Sequence, residues 1–125
     1  MEIVAKNSSL TGYAAFQTYT ENTKATFEDC TLTGRNKWSG SSDDFALLVV
    51  NDGADGSVIN CKDCKIVATE EGTAKEYFAS IRDASTVAFD GCTFEKNGNA
   101  ITADDMSDGS YFEAYDGVDY ELTIQ

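Results

Sequence analysis

The chain has 125 residues, of which 42% are hydrophobic and 25% charged, a composition that suits a single globular domain. Nine Lys and Arg against 22 Asp and Glu give a net charge of -13, which leaves no basic face for nucleic acid and repels an anionic membrane surface. There is no His, so His ligands and His general bases are excluded, and no run of about 18 apolar residues exists to span a bilayer.

Taken in order, the chain opens at once on strand-like sequence, without the charged and apolar regions of a signal peptide. The expectation is a piece cut from a longer chain. Ile3-Val4-Ala5, a Lys6-Asn7 turn and Ser8-Ser9-Leu10 set a pattern of strand, two-residue polar turn, strand. Ala25-Thr26-Phe27, Glu28-Asp29 and Cys30-Thr31-Leu32 repeat it. Ile59-Asn60-Cys61, Lys62-Asp63 and Cys64-Lys65-Ile66 repeat it again, as do Val87-Ala88-Phe89, Asp90-Gly91 and Cys92-Thr93-Phe94. A second apolar run follows each copy: Tyr13–Gln17, Phe45–Val49, Phe78–Arg82 and Asn99–Thr102.

A constant order with one slot of variable length is the grammar of a solenoid, whose insertions collect at one corner. Period-2 alternation turns Phe27, Cys30 and Leu32 inward and Thr26 and Thr31 outward. Stacked coils then align three columns: Ala5-Phe27-Cys61-Phe89, Ser8-Cys30-Cys64-Cys92 and Leu10-Leu32-Ile66-Phe94. Parallel connection favours right-handed winding. The expected fold is all-β: a short right-handed parallel β-helix, one domain over 1–125. Its coils fall at about 3–24, 25–56, 57–84 and 85–103, with 104–125 as a final coil or cap. Gly117–Gln125 reads as a last strand. The competing fold is an antiparallel sandwich, for which Asp90-Gly91 and Asn97-Gly98 offer hairpin turns.

The stretch CTFEKNGNAITA, Cys92 to Ala103, resembles the repeat of pectin-lyase-like right-handed parallel β-helix proteins. The likeness extends over roughly Ile3 to Ala103. It speaks to fold through core and turn residues, and this chain is short for the enzymes of that class. The resemblance implies paired Asp residues, or calcium with a basic residue, as the catalytic apparatus of related pectin-degrading enzymes. Asp43-Asp44 and Asp104-Asp105 are the adjacent Asp pairs, and neighbours on a strand face opposite sides.

Cys61-Lys62-Asp63-Cys64 is a C-x-x-C without the helix a thioredoxin-like motif requires and without a second pair for zinc. The expected role of Cys30, Cys64 and Cys92 is a buried, mostly reduced column of small apolar groups. One disulfide between stacked coils stays open on geometry. Asp104, Asp105 and Asp108 are candidate calcium ligands in an acidic turn that does not match an EF-hand loop. No other cofactor is expected. The variable slot carries Trp38 with Arg35 and Lys37, and Tyr77, Tyr111, Phe112 and Tyr115 extend the aromatic set. Trp38, Arg35, Lys37, Tyr77, Tyr111 and Tyr115 are the candidate binding residues, suited to sugar rings or a protein partner.

The functional expectation is a non-catalytic binding or adhesion module of an extracellular or cell-surface protein, taking a carbohydrate or protein ligand, with no nucleic-acid partner and no membrane insertion. The alternatives are a fragment of a β-helix polysaccharide lyase or hydrolase, or a phage or fibre segment.

Overall fold

A computed structural model describes residues 1–34, 46–69, 78–107, 109 and 111–125. The described chain is an all-β arrangement of three sheets whose strands pair in parallel with one exception. Its strands are β1 (Glu2–Lys6), β2 (Ser9–Gly12), β3 (Phe16–Thr18), β4 (Lys24–Glu28), β5 (Thr31–Gly34), β6 (Leu48–Val50) and β7 (Ser57–Lys62), followed by β8 (Lys65–Ala68), β9 (Ala79–Ile81), β10 (Ser85–Asp90), β11 (Thr93–Lys96), β12 (Asn99–Ile101), β13 (Phe112–Ala114) and β14 (Tyr120–Ile124). A single turn of helix, α1 (Ala103–Met106), precedes β13.

Sheet 1 runs β1-β4-β7-β10-β14, sheet 2 runs β2-β5-β8-β11-β12, and sheet 3 runs β3-β6-β9-β13. From β1 to β11 every third strand returns to the same sheet, so each round of the chain passes through sheets 1, 2 and 3 in turn. The register aligns Ala5, Phe27, Cys61, Phe89 and Ile124 in sheet 1. In sheet 2 it aligns Leu10, Leu32, Ile66 and Phe94. Strand alternation turns these columns inward, and Phe27, Cys61, Phe89, Leu32 and Ile66 are buried in one core.

The corner between sheets 1 and 2 is always two residues long, at 7–8, 29–30, 63–64 and 91–92. Its first residue has positive φ every time: Asn7 (51°), Asp29 (51°), Asp63 (51°) and Gly91 (66°). Asn, Asp and Gly tolerate this left-handed conformation best, and a β-branched residue there would be strained. Successive corners are also hydrogen-bonded: the N–H of Asn7, Asp29 and Asp63 donates to the carbonyl of Glu28, Lys62 and Asp90, at 3.0, 3.0 and 2.8 Å. The second corner residue forms the column Ser8-Cys30-Cys64-Cys92, tied by N–H groups of Thr31, Lys65 and Thr93 to the carbonyls of Ser8, Cys30 and Cys64.

The corner between sheets 3 and 1 is polar inside. Thr18 Oγ1 and Thr23 Oγ1 lie 2.8 Å apart, Thr23 Oγ1 donates to the Thr20 carbonyl at 2.9 Å, and the Thr23 N–H donates to Ser57 Oγ at 3.2 Å. All three side chains are buried, so each hydroxyl needs these partners.

Two expectations are corrected. The run Asn99–Thr102 does not supply the fourth strand of sheet 3. Asn97 (φ 49°) and Gly98 (φ 80°) form a tight turn, and β12 folds back antiparallel on β11, pairing Phe94 with Ile101. Two consecutive left-handed residues match the twist of a hairpin, which explains the reversal. The fourth strand of sheet 3 is β13, so Phe112 packs inward against Phe78 and Phe89 and does not line a loop surface. The Gly117–Gln125 alternation is β14, the fifth strand of sheet 1.

Candidate functional site

Outward-facing residues of sheet 3 and the corner after it form a network of polar and aromatic side chains. The N–H of Asn51, Arg82 and Tyr115 donates to the carbonyl of Thr18, Val50 and Ile81, at 3.0, 2.9 and 2.9 Å. These bonds place Tyr19, Asn51, Arg82 and Tyr115 in one row, just past the ends of β3, β6, β9 and β13. Two residues earlier, strand register aligns Gln17, Val49, Ser80 and Glu113.

The two rows are joined by side chains. Tyr19 Oη donates to Gln17 Oε1 at 3.2 Å, and Asn51 Nδ2 donates to the same oxygen at 3.3 Å. Arg82 Nε donates to Ser80 Oγ at 3.3 Å, and Ser80 Oγ donates to Glu113 Oε1 at 3.0 Å. The Arg82 guanidinium lies 5.5 Å from the Tyr115 ring centroid, a cation–π contact that fixes the ring. The middle is closed: Val49 and Ser80 are buried although they face outward, and Asn51 is buried too. The ends are open, with Tyr19 66% and Tyr115 42% exposed. Three strand steps separate the two tyrosines, about 14 Å.

The candidate residues read from sequence divide. Trp38, Arg35, Lys37, Tyr77 and Asp108 lie outside the described residues. Tyr111 and Tyr115 sit at opposite ends of β13. Tyr111 is half-buried and stacks on Phe78, with ring centroids 5.3 Å apart, while Lys96 Nζ lies 5.9 Å from its ring centroid. Tyr115 alone of the pair joins the exposed row. Gln17, Tyr19, Asn51, Ser80, Arg82 and Glu113 were not among the candidates. Their signal is a polar residue two positions before Tyr, Asn, Arg or Tyr at the end of three of the four sheet-3 strands, visible once those strands are aligned.

Of the acidic candidates, Asp105 is engaged in a helix cap. Its Oδ2 accepts from Thr102 N–H at 2.8 Å and from Thr102 Oγ1 at 2.9 Å, and its own N–H donates to Thr102 Oγ1 at 3.2 Å. The backbone bond from Thr102, then the hydroxyl bond, holds the Asp105 carboxyl below its usual range. Asp104 lies in the same first turn. No cluster of three or more His, Cys, Asp or Glu among the described residues is arranged to hold a metal ion.

The cysteine column differs at one end from the buried ladder expected. Cys30, Cys61 and Cys64 are buried, whereas Cys92 is half-buried, and all four are free thiols. The Sγ of Cys30, Cys64 and Cys92 donates to the carbonyl of Ala5, Phe27 and Cys61, at 3.4, 3.3 and 3.4 Å. The neighbouring Cys61 thiol, ahead of opposing burial, brings Cys64 down to about 6. The Cys64 thiol and burial drive Cys61 far upward, and burial pushes Cys92 up to about 11.

Comparison with family models, with curated proteins and with solved structures returned no match.

Proposed function

We propose that the chain is a short right-handed parallel β-helix acting as a non-catalytic ligand-binding module of an extracellular or cell-surface protein, and that its ligand is a carbohydrate held along the row Tyr19–Asn51–Arg82–Tyr115. The β-helix reading is supported by the return of every third strand to the same sheet and by the unvarying two-residue corner. Right-handed crossovers are the rule for parallel strands in one sheet. The resemblance of Cys92–Ala103 to the pectin-lyase-like repeat points the same way.

One observation carries the ligand reading: two exposed tyrosines end a row that holds the half-buried Arg82 guanidinium and is flanked by the exposed Gln17 amide. Tyrosine rings stack on the apolar faces of sugar rings, and amide, guanidinium and carboxylate groups pair with hydroxyls. A span of about 14 Å suits a linear oligosaccharide of a few units better than a single sugar. The rigid scaffold fixes both rings before binding, which lowers the ordering cost.

A glycan array followed by titration calorimetry tests this. Binding of one or more linear glycans is expected, weakened about tenfold or more by Tyr115→Ala and by Tyr19→Ala, with the unfolding midpoint unchanged. Binding unaffected by either substitution moves the ligand to another face. Turnover of a polysaccharide replaces the binding module with an enzyme, and binding of a peptide without any glycan replaces the carbohydrate.

A further inference from the structure

The three sheets end unevenly. Among the described residues, sheets 1 and 2 have five strands each and sheet 3 has four. β14 is the fifth strand of sheet 1, and β12, by folding back on β11, takes the fifth place in sheet 2. β13 is the edge of sheet 3, and the core is uncovered beside it. An open cavity of about 360 Å³ lies there, lined by Ile81, Phe112 and Ala114 of sheet 3, Leu122 and Ile124 of β14 and Met106 of α1. Its size is that of a ligand cleft. Ile124 shows what is left open: it shares an inward column with Phe89, which is 1% exposed, yet is itself 37% exposed.

The edge of β13 is suited to a further strand. The Tyr115 N–H donates to the Ile81 carbonyl at 2.9 Å, and the Tyr111 carbonyl accepts from the Phe78 N–H at 2.8 Å. Backbone groups of successive residues in a parallel ladder point alternately to the two neighbouring strands. Tyr111, Glu113 and Tyr115 therefore face β9, and Phe112 and Ala114 face the open side. The Phe112 N–H donates to the Gly109 carbonyl at 3.1 Å. The Phe112 carbonyl and both backbone groups of Ala114 remain for a fifth strand. A segment added at the ordinary spacing of about 4.8 Å would send alternate side chains into the cavity.

Charge selects the partner. From Thr102 to Gln125 the sequence holds seven Asp and Glu and no Lys or Arg. Asp104 on α1, and Asp116 and Asp119 between β13 and β14, are exposed, and Glu113 lines the cavity. A second copy of the chain, itself at -13, is repelled from this end, whereas a basic segment is drawn to it.

We propose that the edge of β13 is a peptide-binding slot: an extended basic segment of a partner protein adds to it as the fifth strand of sheet 3. Its apolar side chains fill the cavity, and its Lys or Arg side chains meet the surrounding carboxylates. This inference does not rest on the carbohydrate reading, and Tyr19→Ala should leave peptide affinity unchanged.

The probe is a short peptide of alternating valine and lysine, titrated into the full chain with amide signals followed by NMR. Saturable binding is expected, with shifts at Phe112–Ala114 and Leu122–Ile124 and slowed exchange of the Ala114 amide. A peptide of the same composition, N-methylated at alternate residues, keeps its charge and loses the ladder; it should bind about tenfold or more weakly. Replacing its lysines by glutamates should abolish binding. Asp116→Asn with Asp119→Asn should weaken it about threefold. Ala114→Pro, which removes an edge N–H, should weaken it about tenfold, and the peptide variants test the same ladder without altering the chain. Equal affinity for the N-methylated peptide, no binding of the valine–lysine peptide, or shifts centred on β1 would overturn the slot. An Ala114 amide already protected in the free chain, whether by its own chain or by self-association at rising concentration, would overturn it too.

Discussion

Asp63 covers Gly91: a Cβ added at Gly91 would run into the Asp63 carboxylate oxygen of the round below. The corner column therefore reads Asn7, Asp29, Asp63, Gly91, with its last member lacking a side chain where its neighbour leans over it. Gly91→Ala must bear both the left-handed backbone (φ 66°) and this contact. The expected loss is about 1–2 kcal/mol for the backbone alone, measured by urea unfolding. Asp63→Gly in the same background should recover only the contact part. An undiminished stability in Gly91→Ala would show that the corner backbone relaxes.

The hairpin at Asn97-Gly98 gives a contrasting case. Nothing lies within 4 Å of a Cβ added at Gly98, so a substitution there meets only the backbone cost of φ 80°. Gly98→Val should loosen β12 by about 1–3 kcal/mol. Amide exchange should rise at Asn99–Ile101 and stay unchanged in β7 and β10. Uniform acceleration would instead mean that β12 is integral to the whole stack.

Thr23 tests the polar corner. Thr23→Val keeps the shape and removes the hydroxyl that faces Thr18 Oγ1 and the Thr20 carbonyl. A buried group left without its partner costs about 1–3 kcal/mol, whereas Thr23→Ser, which keeps the oxygen, should cost less. Equal losses in the two variants would assign the effect to the lost methyl.

Asp105 gives a pH dependence with a fixed sign. Its folded-state pKa is depressed, so the capped turn is favoured above the ordinary carboxyl range and loses that support as pH falls through the lower folded-state value. Asp105→Asn should raise amide exchange at α1 near neutral pH. The difference from wild type should shrink as acid protonates Asp105, and a difference independent of pH would remove the carboxylate from the cap.

Much of the scaffold was legible because it depends on alternation and on residue types with strong backbone preferences. Phe27 and Phe89 in sheet 1 and Leu32 and Ile66 in sheet 2 announce two inward columns by period two, and the Asn, Asp or Gly at each corner announces the bend. The end of the stack was harder to read. Asn99–Thr102 has the apolar look of a sheet-3 strand, but the two left-handed residues before it override that pattern. Phe112–Ala114 is only three residues long and sits in an acidic context, so its pairing with β9 comes from tertiary register. The candidate row was missed for a related reason. Gln17, Ser80 and Glu113 carry no shared motif, and only their outward position at equivalent places in sheet 3 brings them together.

The first sheet also carries a rhythm of two. Its corner-side residues read Lys6, Glu28, Lys62, Asp90, and Lys6 Nζ is 3.5 Å from Glu28 Oε2. Over the first four strands of sheet 1 the inward column beside them reads small, large, small, large: Ala5, Phe27, Cys61, Phe89, before Ile124 of β14 ends it. Excising the round that contains β4 would set Lys6 against Lys62 and leave two small residues facing each other. Excising the round that contains β7 would set Glu28 against Asp90 and press two phenylalanines together. Removing both rounds restores opposite charge and unequal size, Lys6 against Asp90 and Ala5 against Phe89. Each exposed ion pair contributes little alone, but charge and volume penalise the same odd steps. The natural increment for shortening or duplicating this chain is therefore a pair of rounds.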